Sequence, residues 1–185
     1  MNISVGISNR HVHLTKDDLE ILFGEGYELT KKVDVKQPSQ FASVETVTIK
    51  TDKDEIKNVR ILGPVRDYTQ VEISKTDAYK LGLNPPLTDS GNLLNSDIIT
   101  IIGPKSSITK KCCILVRRHI HVTNEDKIKY NLPDIVSIKV NGDRGGVLNN
   151  VYVKASSEAY FELHIDIDEA NAFNLKNNDI VEIIK

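Results

Sequence analysis

"SNRHVHLTKDD" at residues 8–18 and "VRRHIHVTNED" at residues 116–126 are two versions of one pattern. Each places a His-x-His pair before one apolar residue, a threonine and a group of acidic residues. The chain has only five histidines, and four of them belong to these two pairs. A threonine followed by acidic residues is typical of a helix N-terminus, so each copy predicts a strand that leads into a capped helix. The near-repeat therefore predicts an internally duplicated protein.

Other segments also occur in related copies. "VEISKTDAYKLGL" at 71–83 matches "LHIDIDEANAFNL" at 163–175, and an Asp followed by alternating apolar residues recurs at Asp97, Asp134 and Asp179. Short β-branched runs separated by turn residues dominate the chain, which indicates a mainly β protein built as barrels or sandwiches. We expect two halves, residues 1–104 and 105–185, between which strands can be exchanged.

Composition excludes several classes of function. The 185 residues are 39% hydrophobic with a net charge of −2, and the basic residues are spread along the chain. Neither a nucleic-acid partner nor a membrane is expected, because there is no basic patch and no apolar run of about 20 residues. Cys112 and Cys113 are adjacent and lack CxxC spacing, so we expect reduced thiols, one of them facing the core. We expect a cytoplasmic protein.

The repeated histidines predict metal sites. Residues i and i+2 of a strand project from the same face, so His11 and His13 can converge on one ion, as can His119 and His121. The second matched segment aligns Glu72 with His164, which gives each half three ligands. Two histidines with a carboxylate, and three histidines, are both catalytic zinc sets that leave positions open. If the halves face each other, a two-metal site follows, and Arg66 beside it becomes a candidate phosphate clamp.

Several other enzyme classes fail on length or spacing. His-x-His also opens amidohydrolase barrels, but that fold needs about 250 residues. There is no GxxxxGK[ST] or GxSxG motif, and "GDRGG" at 142–146 is typical of a hairpin turn. A cupin-type oxygenase is disfavoured because Glu72 lies too far from His13 along the chain. The ligand set alone leaves open a two-metal thioesterase or acyl-phosphatase, or a non-enzymatic metal-binding protein.

The motifs "SNRHVHL", "LGPVRDYTQVEISKTDA", "DSGNL", "RHIHV", "GDR" and "LHIDIDEANA" together resemble the PduL-type phosphate propanoyltransferases, which are phosphotransacylases. The resemblance covers essentially the whole chain. It implies two small β-barrels with short helices and a dinuclear zinc site between them. It also implies reversible conversion of acyl-CoA and phosphate into acyl-phosphate and CoA, with propanoyl or acetyl as the acyl group.

The resemblance also assigns residues. It implies His11, His13 and Glu72 as ligands of one zinc ion, His119, His121 and His164 as ligands of the other, and Arg66 as the phosphate-binding residue. It implies Ser8, Asn9, Arg10, Lys53, Arg60 and Asn171 as CoA contacts. Thr88 stands where the family commonly has arginine. Members that enter microcompartments carry an N-terminal extension, whereas here a strand begins near residue 3, which favours the cytosol unless a segment is missing.

The chemistry leads to a hypothesis about mechanism. Phosphate is a nucleophile at neutral pH, and the CoA thiol has a pKa of about 8.5, so the thiolate leaves without a strong acid. We therefore expect direct attack of zinc-bound phosphate on the acyl carbon without an acyl-enzyme, with Arg66 offsetting negative charge. Cobalt or iron would suit the same ligands, and the oligomeric state is left open.

Overall fold

The chain folds mainly into β-strands, and the computed structural model describes residues 1–185. The strands are β1 (Asn2–Ser8), β2 (His11–His13), β3 (Lys31–Asp34), β4 (Phe41–Lys50), β5 (Glu55–Gly63), β6 (Gln70–Glu72), β7 (Leu87–Thr88), β8 (Asp97–Ile102), β9 (Ser107–Val116), β10 (His119–Thr123), β11 (Ile135–Val140), β12 (Gly146–Ser156), β13 (Glu162–Asp166) and β14 (Ile180–Ile184). The helices are α1 (Lys16–Phe23), α2 (Lys75–Leu81), α3 (Asn124–Lys129) and α4 (Ile167–Phe173). The predicted mainly β fold with short helices is confirmed.

Two compact units divide the chain: a middle unit, Arg10–Val116, and a terminal unit, which combines Met1–Asn9 with Arg117–Lys185. In the terminal unit, six strands close into a barrel in the order β1-β13-β10-β12-β11-β14. In the middle unit, β2, β5, β4, β8, β9 and β6 pair in that order, and β6 pairs back with β2. This closes a second six-stranded ring, to which β3 and β7 attach. The expectation of two small barrels is confirmed.

The two barrels have the same strand pairings. β2 is parallel to β5 and antiparallel to β6, and in the other unit β10 is parallel to β12 and antiparallel to β13. β6 is parallel to β9 as β13 is parallel to β1, and β8 occupies the place of β14. This correspondence supports the proposal that the chain arose by duplication of one β-unit.

The strand before each His-x-His strand is exchanged. β1 precedes β2 in the chain but pairs with β13 and β14, and β9 precedes β10 but pairs with β6 and β8. The chain therefore passes from one unit to the other after Asn9 and again after Val116. These boundaries do not coincide with the predicted halves, residues 1–104 and 105–185. Residue 104 lies in the turn between β8 and β9, and these antiparallel neighbours belong to one barrel. The chain consequently stays in the middle unit at that point.

Alternation along the strands separates the core from the histidines. Val12 and Val71 pack in the apolar core of the middle unit, and Ile120 and Leu163 pack in that of the terminal unit. Because neighbouring strand residues point to opposite faces, the histidines on either side of Val12 and Ile120 lie on the outer face of each barrel wall. The ligand candidates are therefore carried by a rigid wall without interrupting the apolar core.

The helix after each His-x-His strand begins as predicted. The Thr15 hydroxyl accepts the Asp18 N–H at 3.1 Å at the start of α1, and the Thr123 hydroxyl accepts the Asp126 N–H at 3.0 Å at the start of α3. These bonds satisfy backbone donors that the first helical turn leaves unpaired. Gly24, with φ 119°, ends α1. The predicted caps are confirmed at both copies.

Candidate metal centres

The middle unit brings together His11, His13 and Glu72. Their ligand atoms all lie within 4.8 Å of one another. The two histidines stand on β2, and Glu72 stands on β6 directly opposite His11 in the antiparallel register. Glu72 Oε2 lies 3.3 Å from His11 Nε2, and Glu72 Oε1 lies 3.8 Å from His13 Nε2. This spacing suits three donors that surround one ion.

The protonation states of His13 and Glu72 favour metal binding. Burial, together with the charges of His11 and Arg66, lowers the pKa of His13 to about 3. Burial would raise the pKa of Glu72, but the neighbouring His11, His13 and Arg66 hold it well below its ordinary value. His13 Nδ1 faces the Leu62 carbonyl at 3.3 Å, so that nitrogen is positioned to donate and Nε2 is left as the donor atom for a metal. Neutral imidazoles and an ionised carboxylate are the forms that ligate.

The terminal unit holds the second cluster, His119, His121 and His164, with ligand atoms again within 4.8 Å of one another. His119 on β10 stands opposite His164 on β13, as His11 stands opposite Glu72. His119 Nε2 and His121 Nε2 lie 3.1 Å apart, and His119 Nδ1 lies 2.7 Å from the Arg117 carbonyl oxygen. Burial and nearby cations lower the pKa of His119 well below its ordinary value. The alignment of Glu72 with His164 therefore holds in the strand register.

We expect the metal-free protein to lose stability as the pH falls from 7 to 5. His13 and His119 have lower pKa values in the folded protein than the value of about 6.5 in the unfolded chain, so the unfolded chain takes up protons first. Their contribution to the free energy of unfolding is complete above about pH 6.5 and decreases as the pH falls. For His13 the decrease is about 2 kcal/mol at pH 5. Below about pH 4.5, protonation of Glu72 adds a loss of the same sign.

Thermal unfolding of chelator-treated protein at pH 7.5, 6 and 5 measures this effect. The melting temperature should fall along the series, and the fall should be smaller in a His13→Gln variant, which has lost one of the titrating groups. A melting temperature that stays constant or rises between pH 7.5 and 5 contradicts the neutral, buried state of these imidazoles.

Arg66 lies in the loop between β5 and β6 and is half-buried. Its backbone N–H donates to the Leu14 carbonyl at 2.8 Å, and Nη1 donates to the Tyr68 hydroxyl at 3.0 Å. Its positive charge lowers the pKa of both His13 and Glu72. The guanidinium therefore lies within electrostatic reach of the middle cluster, where a cation is useful for holding an anionic substrate.

Three of the residues expected to contact CoA form internal bonds. Arg10 makes a two-point ion pair with Asp77, with distances of 2.7 and 2.8 Å. Arg60 Nη1 donates to the backbone carbonyls of Ser43 and Val44, and Lys53 Nζ donates to the Tyr79 carbonyl at 3.0 Å. All three lie in the middle unit, whereas Ser8, Asn9 and Asn171 lie in the terminal unit. The assignment of these six residues to CoA stays a prediction.

The ion pair of Arg10 has an equivalent in the other unit. Arg118, which precedes the second histidine pair, places Nε 3.1 Å from Glu169 Oε1. Asp77 and Glu169 are the third residues of α2 and α4, where each completes a capping box. Each arginine thus links its His-x-His strand to the helix that follows the third candidate ligand, a structural role that the sequence motif did not reveal.

Two side chains hydrogen-bond to Glu72: Gln70, and Ser90 of the "DSGNL" motif. Gln70 Nε2 donates to Glu72 Oε1 at 2.6 Å, and Ser90 Oγ donates to the same oxygen at 3.2 Å. Gly91, with φ 91°, donates its N–H to Gln70 Oε1 at 2.7 Å. Sequence reasoning missed Gln70, although it lies two residues before Glu72 and so on the same strand face. Thr88 is buried on β7, beside this loop in the chain.

The two cysteines are both buried, whereas only one was expected to face the core. Both contribute to the apolar core of the middle unit, at a register shift in the pairing of β8 with β9. Burial raises the pKa of Cys112 to about 12 and that of Cys113 further. Neither thiol is available as the thiolate that nucleophilic catalysis needs.

None of the helices has the length and apolar character that a membrane crossing requires.

The sequence profile described as phosphate propanoyltransferase matches residues 4–176. The phosphate propanoyltransferase of Thermotoga maritima is 49% identical over 187 residues, which cover 99% of this chain and 89% of that protein. The enzyme of Priestia megaterium is 49% identical over 96% of this chain and 83% of its own length, and that of Salmonella typhimurium is 42% identical over 95% and 85%. With its two barrels and paired ligand clusters, the chain therefore belongs to the phosphate propanoyltransferase family of acyltransferases.

Proposed function

We propose that this protein transfers a propanoyl or acetyl group between CoA and phosphate, and that each ligand cluster holds one zinc ion for this reaction. The observation that carries the proposal is the equivalence of the two clusters. Each consists of three donors on paired strands of the same topology, within 4.8 Å of one another. Three protein ligands leave a coordination position open, as catalytic zinc requires.

The donor sets fit zinc. Imidazole nitrogen and carboxylate oxygen are both common zinc ligands, and the lowered pKa values of His13 and His119 keep these rings neutral. The carbonyls of Leu62 and Arg117 are positioned to orient His13 and His119 so that Nε2 faces the cluster. Cobalt or iron would suit the same donors, so the metal identity is a matter for measurement.

The reaction needs charge stabilisation more than a protein nucleophile. Metal ions at these clusters would polarise the thioester carbonyl and hold phosphate oxygens. A phosphate oxygen attacks the acyl carbon, the C–S bond breaks, and CoA leaves as the thiolate. Arg66 offsets the charge of the incoming phosphate near Glu72. The two buried thiols with raised pKa values support transfer without an acyl-enzyme.

The experiment that tests this function measures CoA-thiol release from propanoyl-CoA and acetyl-CoA by metal-quantified protein, with and without phosphate. We expect release that requires phosphate and that shows a sequential initial-rate pattern. Release without phosphate would instead identify a two-metal thioesterase, because water would then accept the acyl group. A ping-pong pattern or a trapped acyl-enzyme would contradict direct attack.

A further inference from the structure

The residue two positions before the third ligand differs between the units in an informative way. It is Gln70 in the middle unit and Glu162 in the terminal unit, and both are buried. Gln70 stands opposite His13 in the strand register, as Glu162 stands opposite His121. The two side chains therefore occupy equivalent places on the ligand-bearing faces of the two barrels.

Each of these side chains contacts the third ligand of its cluster. Gln70 Nε2 donates to Glu72 Oε1 at 2.6 Å, so a neutral amide supports a carboxylate ligand. In the terminal unit, Glu162 Oε2 lies 3.0 Å from His164 Nε2, so a carboxylate supports an imidazole ligand. One carboxylate thus lies at each site. It is a ligand in the middle unit and stands behind a ligand in the terminal unit.

We propose that Glu162 is a positioning residue for the metal ligand His164, an inference that rests on the proposed function. Its carboxylate accepts the Nε2–H of His164, which fixes the tautomer and leaves Nδ1 as the donor for the ion. It also supplies the negative charge that Glu72 gives directly to the other cluster. Carboxylates placed behind ligating histidines have this orienting effect and make the ring a better ligand.

A glycine on the exchanged strand supplies the space for this carboxylate. Gly6 on β1 pairs with His164, and a Cβ at this position would lie 2.6 Å from Glu162 Oε2. The equivalent residue in the middle unit is Ile114, which pairs with Glu72 and is fully buried. A large side chain therefore lies next to Glu72 in the middle unit, whereas glycine at the equivalent place in the terminal unit leaves room for the Glu162 carboxylate.

The test measures zinc affinity and zinc content per chain by competition with a chromophoric chelator, with circular dichroism as the check on folding. Outer carboxylates of this kind change metal affinity by about 10- to 100-fold. We expect Glu162→Gln to lower the affinity for one of the two zinc ions by that factor and to leave the affinity for the other unchanged. Gly6→Ala, which removes no polar group but crowds the end of the Glu162 side chain and the edge of the His164 ring, should weaken the binding of the same ion. Glu182→Gln removes an exposed carboxylate from the same barrel and should have no effect.

The outcomes separate this inference from the proposed function. Wild-type protein that binds two zinc ions, together with a Glu162→Gln variant of unchanged affinity for both, overturns the role of Glu162 alone. Wild-type protein that binds no zinc overturns the proposed metal chemistry. If Glu162→Gln does not fold, the Gly6→Ala variant decides: unchanged affinity in that variant contradicts the inference.

Discussion

His13→Ala is expected to lower phosphate-dependent CoA release by about a thousandfold or more, because loss of a metal that stabilises developing charge costs at least as much as loss of one oxyanion donor. His121→Ala should have a similar effect from the other unit. Each variant should lose one zinc ion and keep the other, since the two clusters are built from separate strands. The zinc content therefore distinguishes loss of one site from general unfolding.

Steady-state assays with metal analysis on the same samples check this prediction. Thr100→Ala is the matched control, because its hydroxyl bonds to Thr109 on the wall of the middle barrel and touches neither cluster. It should retain both zinc ions and wild-type activity. A His13→Ala variant that binds two zinc ions, or that keeps more than about a tenth of the activity, would refute the ligand assignment.

Arg66→Ala is expected to raise the KM for phosphate by about 10- to 100-fold, which corresponds to the loss of hydrogen bonds to a charged group worth about 1.5–3 kcal/mol. The KM for acyl-CoA should change much less, since the proposed partner of the guanidinium is phosphate. Arg66→Lys should restore part of the effect, because lysine keeps the charge but loses the planar two-point grip.

The control for Arg66 is Lys57→Ala, which removes an exposed positive charge paired with Glu55 in the same unit. It should leave both KM values unchanged and so separates a local contact from a change in net charge. Equal increases in the two KM values on Arg66→Ala would show that the residue does not act on phosphate selectively. Loss of zinc from that variant would reassign Arg66 to support of the ligand cluster.

Local patterns were sufficient to predict much of the fold and the clusters. The period of two in "HVH" and "HIHV" placed each histidine pair on one face, and the capping threonines marked the helix starts. The match between "VEIS" and "LHID" aligned Glu72 with His164, and the register bears this out because each stands opposite the first histidine of its pair. These features follow from short-range geometry that any copy of the motif must obey.

The sequence did not predict which strands distant in the chain pair with each other. The halves predicted at residue 104 follow the repeat, but β1 and β9 are exchanged, and a strand's hydrogen-bonding partner leaves no signature in its own sequence. The same limit applies to Arg10, whose ion pair with Asp77 depends on a helix far along the chain. Gln70 and Glu162 differ in this respect, because each lies two residues before the candidate ligand that it contacts and so was within reach of strand spacing.

Residue identity and spacing within single strands and helices were enough to predict the duplication, the mainly β class, the six candidate ligands and the family resemblance. The strands that close each barrel, the burial of both cysteines and the ion pair of Arg10 with Asp77 became evident only from the three-dimensional structure. Those features depend on contacts between residues distant in the chain. Burial and strand register, which set the pKa values and the hydrogen bonds of the clusters, exist only once the barrels have closed.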